Sequence, residues 1–208
     1  MLRAIRNNPC PVPIATDDET GCGLRAETGA RVYRLEEETD ADWWEVEALY
    51  DLCFAPGRTA LSSYRLRDGV PTVTSLCLVL RDEDFTLAAA IRYWPAEVAD
   101  QDILLLGPVA VHPTRQGEGL GGLLMTESLA EARRLGWQRV LLVGDAPYYS
   151  RFGFARLNGV VMPPPTNPDR VLGLELVHGA WAGVTGDVMR AHGVPLTAAK
   201  SASQDIGA

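Results

Sequence analysis

Metal-binding patterns are missing from this sequence. Its four cysteines, Cys10, Cys22, Cys53 and Cys77, form no C-x-x-C pair, and His112, His178 and His192 are scattered. With no metal-ligand spacing, no metal site is expected. Apolar runs long enough to span a membrane, about 20 residues, are also absent. Met1 to Arg6 carries basic residues but no apolar stretch follows, so no export signal is expected. Separated thiols then fit a reducing cytoplasm. Basic residues are in the minority, 19 Lys and Arg against 27 Asp and Glu, for a net charge of −8. No basic tract offers a phosphate footprint, which argues against nucleic acid as a partner. The acidic balance is compatible with a cationic amine, although it also describes an ordinary soluble surface. Apolar residues make up 47% of 208 residues, enough for one domain with a sizeable core.

Met1 to Gly29 is rich in Pro, Asn, Asp, Thr and Gly and lacks periodicity, so residues 1–29 read as a disordered extension. Residues 30–195 read as the single domain, and 196–208 as a flexible tail. Val32 to Leu35 is a first strand. Thr39 or Asp40 caps a helix through Trp43, Val46, Leu49, Tyr50 and Phe54, stopped by Pro56-Gly57. Leu61 to Leu66 is a second short helix. Ser75 to Arg81 and Phe85 to Trp94 form a hairpin around Asp82-Glu83-Asp84, and Pro95 is expected to end its second strand. Ile103 to Val111 is a long apolar strand interrupted by Gly107-Pro108, a place for a bulge. Arg139 to Val143, Ala155 to Leu157, Val171 to Val177 and Thr185 to Arg190 complete the strands. The sum is an α/β or α+β class with three layers and a mixed sheet.

The turn Arg115-Gln116-Gly117-Glu118-Gly119-Leu120-Gly121-Gly122 carries the chemistry. From Leu120 the spacing is helical, with Gly121, Leu124, Met125, Ser128, Leu129, Ala132 and Leu135 on one face. The glycines therefore sit at a helix N-terminus, where unpaired N–H groups and the dipole favour an anion such as pyrophosphate. Arg115 is placed to add a charge-assisted contact. The rival reading is a turn that only redirects the chain. Gly117-x-Gly119-x-x-Gly122 also matches the dinucleotide fingerprint, with Asp145 roughly where a ribose-binding acid belongs. Five residues, His112 to Gln116, separate the strand from the first glycine, which argues against that nucleotide-binding oxidoreductase reading.

Two segments carry a closer resemblance. Gln116-x-x-Gly119-x-Gly121 after a V-x-V strand resembles the acyl-CoA signature of the GNAT superfamily of N-acyltransferases. Tyr149-Ser-Arg-Phe-Gly153-Phe154 resembles that superfamily's Y-x-x-x-G-F segment, in the right order and with a helix and strand between. The spelling DAPYYSRFGF is similar to a bacterial branch of the superfamily. The resemblance implies a three-layer fold with a mixed, mostly antiparallel sheet, splayed between its fourth and fifth strands to admit the pantetheine arm.

It also implies acetyl transfer from acetyl-CoA, as co-substrate, to a primary amine of a small molecule or peptide, with no metal and with room for a homodimer. Under it, the backbone of Val109, Ala110 and Val111 meets the thioester and pantetheine. Gln116, Gly117, Glu118, Gly119, Leu120, Gly121 and Gly122 bind the pyrophosphate, mainly through main-chain N–H groups. Tyr149 is the candidate general acid for the departing thiolate, with Tyr148 as its alternative. Many relatives carry Asn shortly before the tyrosine helix, where Asp145-Ala146-Pro147 stands here. No general base is assigned; Glu37, Glu38, Asp102 and His112 lie near the expected cleft. A GNAT-like domain that binds acyl-CoA without turnover, as a sensor, is the other open reading.

Overall fold

Alternation along two hairpin strands decides the layering. The computed structural model describes residues 24–28 and 31–191. The elements are β1 (Leu24–Thr28), β2 (Arg31–Glu37), α1 (Trp43–Phe54), α2 (Ser62–Arg65), β3 (Leu78–Arg81), β4 (Leu87–Val98), β5 (Gln101–Val111) and α3 (Leu120–Arg134). They continue with β6 (Arg139–Val143), α4 (Ala146–Tyr149), β7 (Ala155–Arg156), β8 (Val160–Val161), β9 (Val171–Glu175) and β10 (Gly186–Arg190). Leu78, Leu80, Ala89 and Ile91 pack with Leu120, Leu124, Met125 and Leu129 of α3. Val79 and Ala90 point the other way, against Val46, Leu49 and Tyr50 of α1. The strand period of two thus puts the sheet between a layer holding α1 and a layer holding α3.

The strand order is β1-β2-β3-β4-β5-β6-β9-β7, with β10 beside β4 and β8. Its pairings are antiparallel except β5 with β6 and β8 with β10. The sheet is mixed and mostly antiparallel, as the resemblance implies. The fourth and fifth strands expected from sequence are β5 and β6. Helix α3 joins them and ends as its sequence demands: Gly136 takes φ 85°, its N–H bonds Arg133 O, and Trp137 N–H bonds Ala132 O. That is a Schellman cap, which needs a residue at ease in the left-handed region.

Two expectations need correcting, and one rejected reading fails again. Leu24–Thr28 pairs with Arg31–Glu37, so the expected extension over 1–29 holds a strand at its end. Residues 1–23, with Cys10 and Cys22, and the expected tail 196–208 lie outside the described residues. Pro95 does not end a strand; it sits inside β4, opposite Leu104. Between Ile91 and Ala96 one edge of β4 has left β3 and not yet met β10, so a proline's missing N–H breaks no strand pairing there. The dinucleotide reading also fails, because the glycine turn follows a largely antiparallel sheet and not a doubly wound parallel one. Among the described residues no helix is long and apolar enough to cross a membrane, and no group of three or more His, Cys, Asp or Glu could hold a metal.

Candidate active site

The glycine turn opens where β5 stops. Pro113–Arg115 forms one turn of 3₁₀ helix, capped by His112 Nδ1, which accepts from the Thr114 N–H. Gly117 and Gly119 follow at φ 86° and 83°. An L side chain is costly in that region. Gly119 is the N-cap of α3, whose 15 residues direct the first-turn N–H groups into the turn. A Cβ on Gly117, Gly119 or Gly122 would meet nothing within 4 Å. The turn is therefore bare on its open side, which suits close approach of phosphate oxygens.

A cavity of about 580 Å³ lies over it. Val109, Val111, Gln116, Gly117, Gly119, Leu120, Gly121, Gly122 and Tyr149 line it, joined by Arg115, Asp145, Tyr148 and Arg151. Two residues expected here point elsewhere. Ala110 packs against α1 on the other face of the sheet, as strand alternation requires. The Glu118 carboxylate turns back to accept from the Tyr33 hydroxyl at 2.5 Å. Burial and this carboxylate push the Tyr33 phenol up to about 12. Only the backbones of Ala110 and Glu118 are left to meet a ligand.

Arg115 is also occupied. Its Nη2 donates to Asp82 Oδ2 at 2.6 Å, while Asp82 Oδ1 accepts from the N–H groups of Asp84 and Thr86 at 3.1 and 3.0 Å. Arg115 thus ties the glycine turn to the β3–β4 hairpin. Arg151 was not singled out from sequence. It stands exposed on the cavity wall, its guanidinium 4.0 Å above the Tyr148 ring.

The strands part beside this cavity. Ile91 faces Val109 and Tyr93 faces Leu106, so Gly107 and Pro108 on β5 oppose Arg92 alone. This bulge bends β5, and Gly107 takes φ 117° within it. Pairing of β5 with β6 is confined to Leu104 with Val140 and Leu105 with Leu141. From Leu106 onward the β5 edge has no strand beside it among the described residues, which is the splay implied by the resemblance. A gap of about 160 Å³ opens there, lined by Gly107, Pro108, Val109, Leu142, Val143 and Tyr149 among others.

Tyr149 lies between the gap and the first cavity and lines both. Its ring meets Tyr148 edge-on at 4.9 Å and Phe154 at 5.9 Å. A glycine makes room for it: a Cβ on Gly144 would lie 2.3 Å from Tyr149 Cε2. Burial, then the neighbouring Tyr148 and Asp145, push its phenol up to about 12. At neutral pH it is therefore a protonated donor. Tyr148 is more exposed, and its hydroxyl is 3.0 Å from where a Cβ on Gly121 would sit.

Beyond the gap lies a larger polar cavity of about 1090 Å³, which shares Arg58, Tyr64, Arg67 and Pro108 with it. The gap thus adjoins both cavities, sharing these four residues with one and Val109 and Tyr149 with the other. In the polar cavity, Arg92 donates to Glu38 at 2.7 Å and to Glu47 at 2.5 Å. Arg58 pairs with Glu47, with Asp51 at 2.9 Å and with the Tyr64 hydroxyl at 2.7 Å. Both guanidiniums are buried, yet the carboxylates outweigh burial and hold them above their usual range. Burial likewise works to raise Glu47, and the two arginines overcome it and lower it. Of the four residues considered as a base, only Glu38 lines this cavity, and Arg92 holds both its oxygens. Glu37 and His112 line none of the three spaces, and Asp102 sits at the far end of β5. Sequence reasoning missed the arginine network, since its partners are up to 54 residues apart.

Known proteins resemble this chain in sequence and fold. A model of the acetyltransferase (GNAT) domain family matches residues 74–156. The uncharacterized N-acetyltransferase YhbS of Escherichia coli K12 is 32% identical over 112 residues, covering 52% of this chain and 65% of that protein. The chain thus spans just under two thirds of that relative's length. Its crystal structure, in complex with CoA, superposes with a TM-score of 0.66 at 24% identity, over 89% of this chain and 94% of that one. A GNAT family acetyltransferase from Brucella melitensis, in complex with acetyl-CoA, gives a TM-score of 0.56 at 25% identity, over 77% and 96%. Residues 74–156 thus match the GNAT domain family, and the splayed sheet has the fold of these acetyltransferase structures.

Proposed function

We propose that this chain is an acetyl-CoA-dependent N-acetyltransferase that acts by direct attack of a primary amine on the bound thioester. The observation that carries the reading is the splay gap with a cavity on either side that shares lining residues with it, and Tyr149 lining both the gap and the outer cavity. The E. coli and Brucella neighbours with CoA and acetyl-CoA support it.

In this reading the pyrophosphate sits on the N–H groups of residues 116–122, with Arg151 adding a charge. The pantetheine lies along the free edge of Val109 to Val111. The acceptor occupies the polar cavity. Holding the two together supplies the proximity effect. The amine lone pair forms the N–C bond, and the carbonyl oxygen gains charge, taken by N–H groups beside the bulge. The nitrogen loses its proton to water, the C–S bond breaks, sulfur keeps the electron pair and takes the Tyr149 Oη–H proton, and the phenolate is reprotonated from solvent. The reading puts the reaction in the cytoplasm, which the separated thiols fit, and in a single domain that includes the strand Leu24–Thr28.

The test has two parts. Acetyl-CoA, but not NAD, should raise the melting temperature. An amine panel should then release free CoA. Stabilisation with no CoA release from any amine would favour a sensor over an enzyme, and no stabilisation would reject the reading.

A further inference from the structure

The polar cavity holds a buried guanidinium, that of Arg67, which its described neighbours satisfy only in part. Arg58 and Arg92 each have carboxylate partners. Arg67 has no such ion pair among the described residues. Its Nε and Nη1 are buried and lack hydrogen-bond partners among the described residues. Its Cζ lies over two rings, 4.6 Å from the centroid of Tyr64 and 4.6 Å from that of Trp94. Burial lowers its pKa to about 10, so it still carries its charge at neutral pH. A buried cation without a counter-charge is costly. Cation–π contact offsets part of that cost, but it satisfies no N–H.

Its position is informative. Arg67 lines both the polar cavity and the gap, and its Nη2 is 3.7 Å from where a Cβ on Gly107 would sit. That is the bulge beside which the thioester would lie. A group bound by Arg67 is therefore close to the reacting amine. The rings hold the guanidinium in place by cation–π contact, and the N–H fork of a guanidinium matches the planar oxygens of a carboxylate.

We propose that Arg67 binds a carboxylate on the acceptor, so that the substrates are amines carrying an acid group near the nitrogen, of the α-amino acid type. This rests on the transfer reading above and names its substrate class. It differs from the cationic amine with which the net charge was compatible. The chain is acidic overall, but the unmatched charge at the reaction point is positive.

The experiment compares matched probes under saturating acetyl-CoA, reading CoA release. L-Phenylalanine is paired with phenethylamine, L-tyrosine with tyramine, L-leucine with isoamylamine and β-alanine with ethylamine. The reading expects at least one acid to exceed its partner by about 10²-fold in kcat/KM, the scale of losing a charge-assisted pair at a desolvated site. Arg67→Met should collapse that ratio towards unity, and Arg67→Lys should restore part of it. Acetyl-CoA stabilisation shows whether each variant is folded, and the panel on the parent chain stands without any variant. If no acid exceeds its partner, the proposal is overturned. Retained acetyl-CoA binding would then leave the transfer reading standing, whereas loss of that binding in the parent rejects the transfer reading itself. Equal losses for both members of a pair in Arg67→Met would assign Arg67 to the carbonyl oxygen, and would also overturn it.

Discussion

Gly144→Ala should disable the proposed acid without touching it. The new Cβ would stand 2.3 Å from Tyr149 Cε2, 2.8 Å from Cδ2 and 2.9 Å from Leu142 Cδ1. Carbon atoms rest about 3.5 Å apart or more, so the Tyr149 ring has to retreat by about 1 Å. Gly144 does not have a positive φ, so the backbone accepts alanine and the effect is one of crowding. A shift of about 1 Å in a reacting group is enough to cost about 10²-fold in rate. Overpacking adds about 1–3 kcal/mol of instability, visible in the melting temperature. The assay is steady-state kinetics beside calorimetric acetyl-CoA binding, on Gly144→Ala, Tyr149→Phe and the double variant. If the glycine acts through the hydroxyl, the double variant is no slower than Tyr149→Phe alone. Losses that multiply would refute the reasoning, as would turnover of Gly144→Ala within a few-fold of the parent.

Tyr149→Phe keeps the ring but removes the proton, so turnover should fall by about 10²-fold while acetyl-CoA affinity holds; unchanged turnover would hand the role to Tyr148 or water. Gly121→Leu should weaken acetyl-CoA binding severely in calorimetry, because even its Cβ would lie 3.0 Å from the Tyr148 hydroxyl and 3.5 Å from Val111 Cγ2; parent-like affinity in a folded variant would remove the pyrophosphate from this turn. Tyr33 and Tyr149 have phenols raised from 10 to about 12 in the folded chain, so their contribution to stability is whole below pH 10 and is lost as pH rises towards 12. Urea midpoints measured between pH 9 and 12 should therefore fall, and a flat profile would contradict the burial of these rings.

Much of the site could be read along the chain because its parts are local. The face of α3, its glycine cap and the order of turn, helix, strand and tyrosine are set within residues 109–154. Pro95 misled because a strand edge is harmless to proline only when the neighbouring strand is missing, which no local pattern reveals. Strand β1 was hidden because its five residues, LRAET, are short and largely polar. The side chains of Arg115 and Glu118 look like ligand groups within the turn, but their partners are 33 and 85 residues away. Gly144 passes unnoticed for the same reason: what it accommodates is a ring, and only the folded chain shows how close that ring comes.

Those two long-range partners change how the glycine turn should behave when a ligand arrives. Arg115 fastens one side of it to Asp82 and Glu118 fastens the other to Tyr33. The turn is thus clamped at both shoulders before any phosphate reaches it. Little disorder remains there to lose on association, and no slow rearrangement has to precede capture. Acetyl-CoA association should then follow a single exponential whose rate rises linearly with ligand concentration. Loosening either clamp would show first as a second, saturating phase in stopped flow, while the final complex stays much the same.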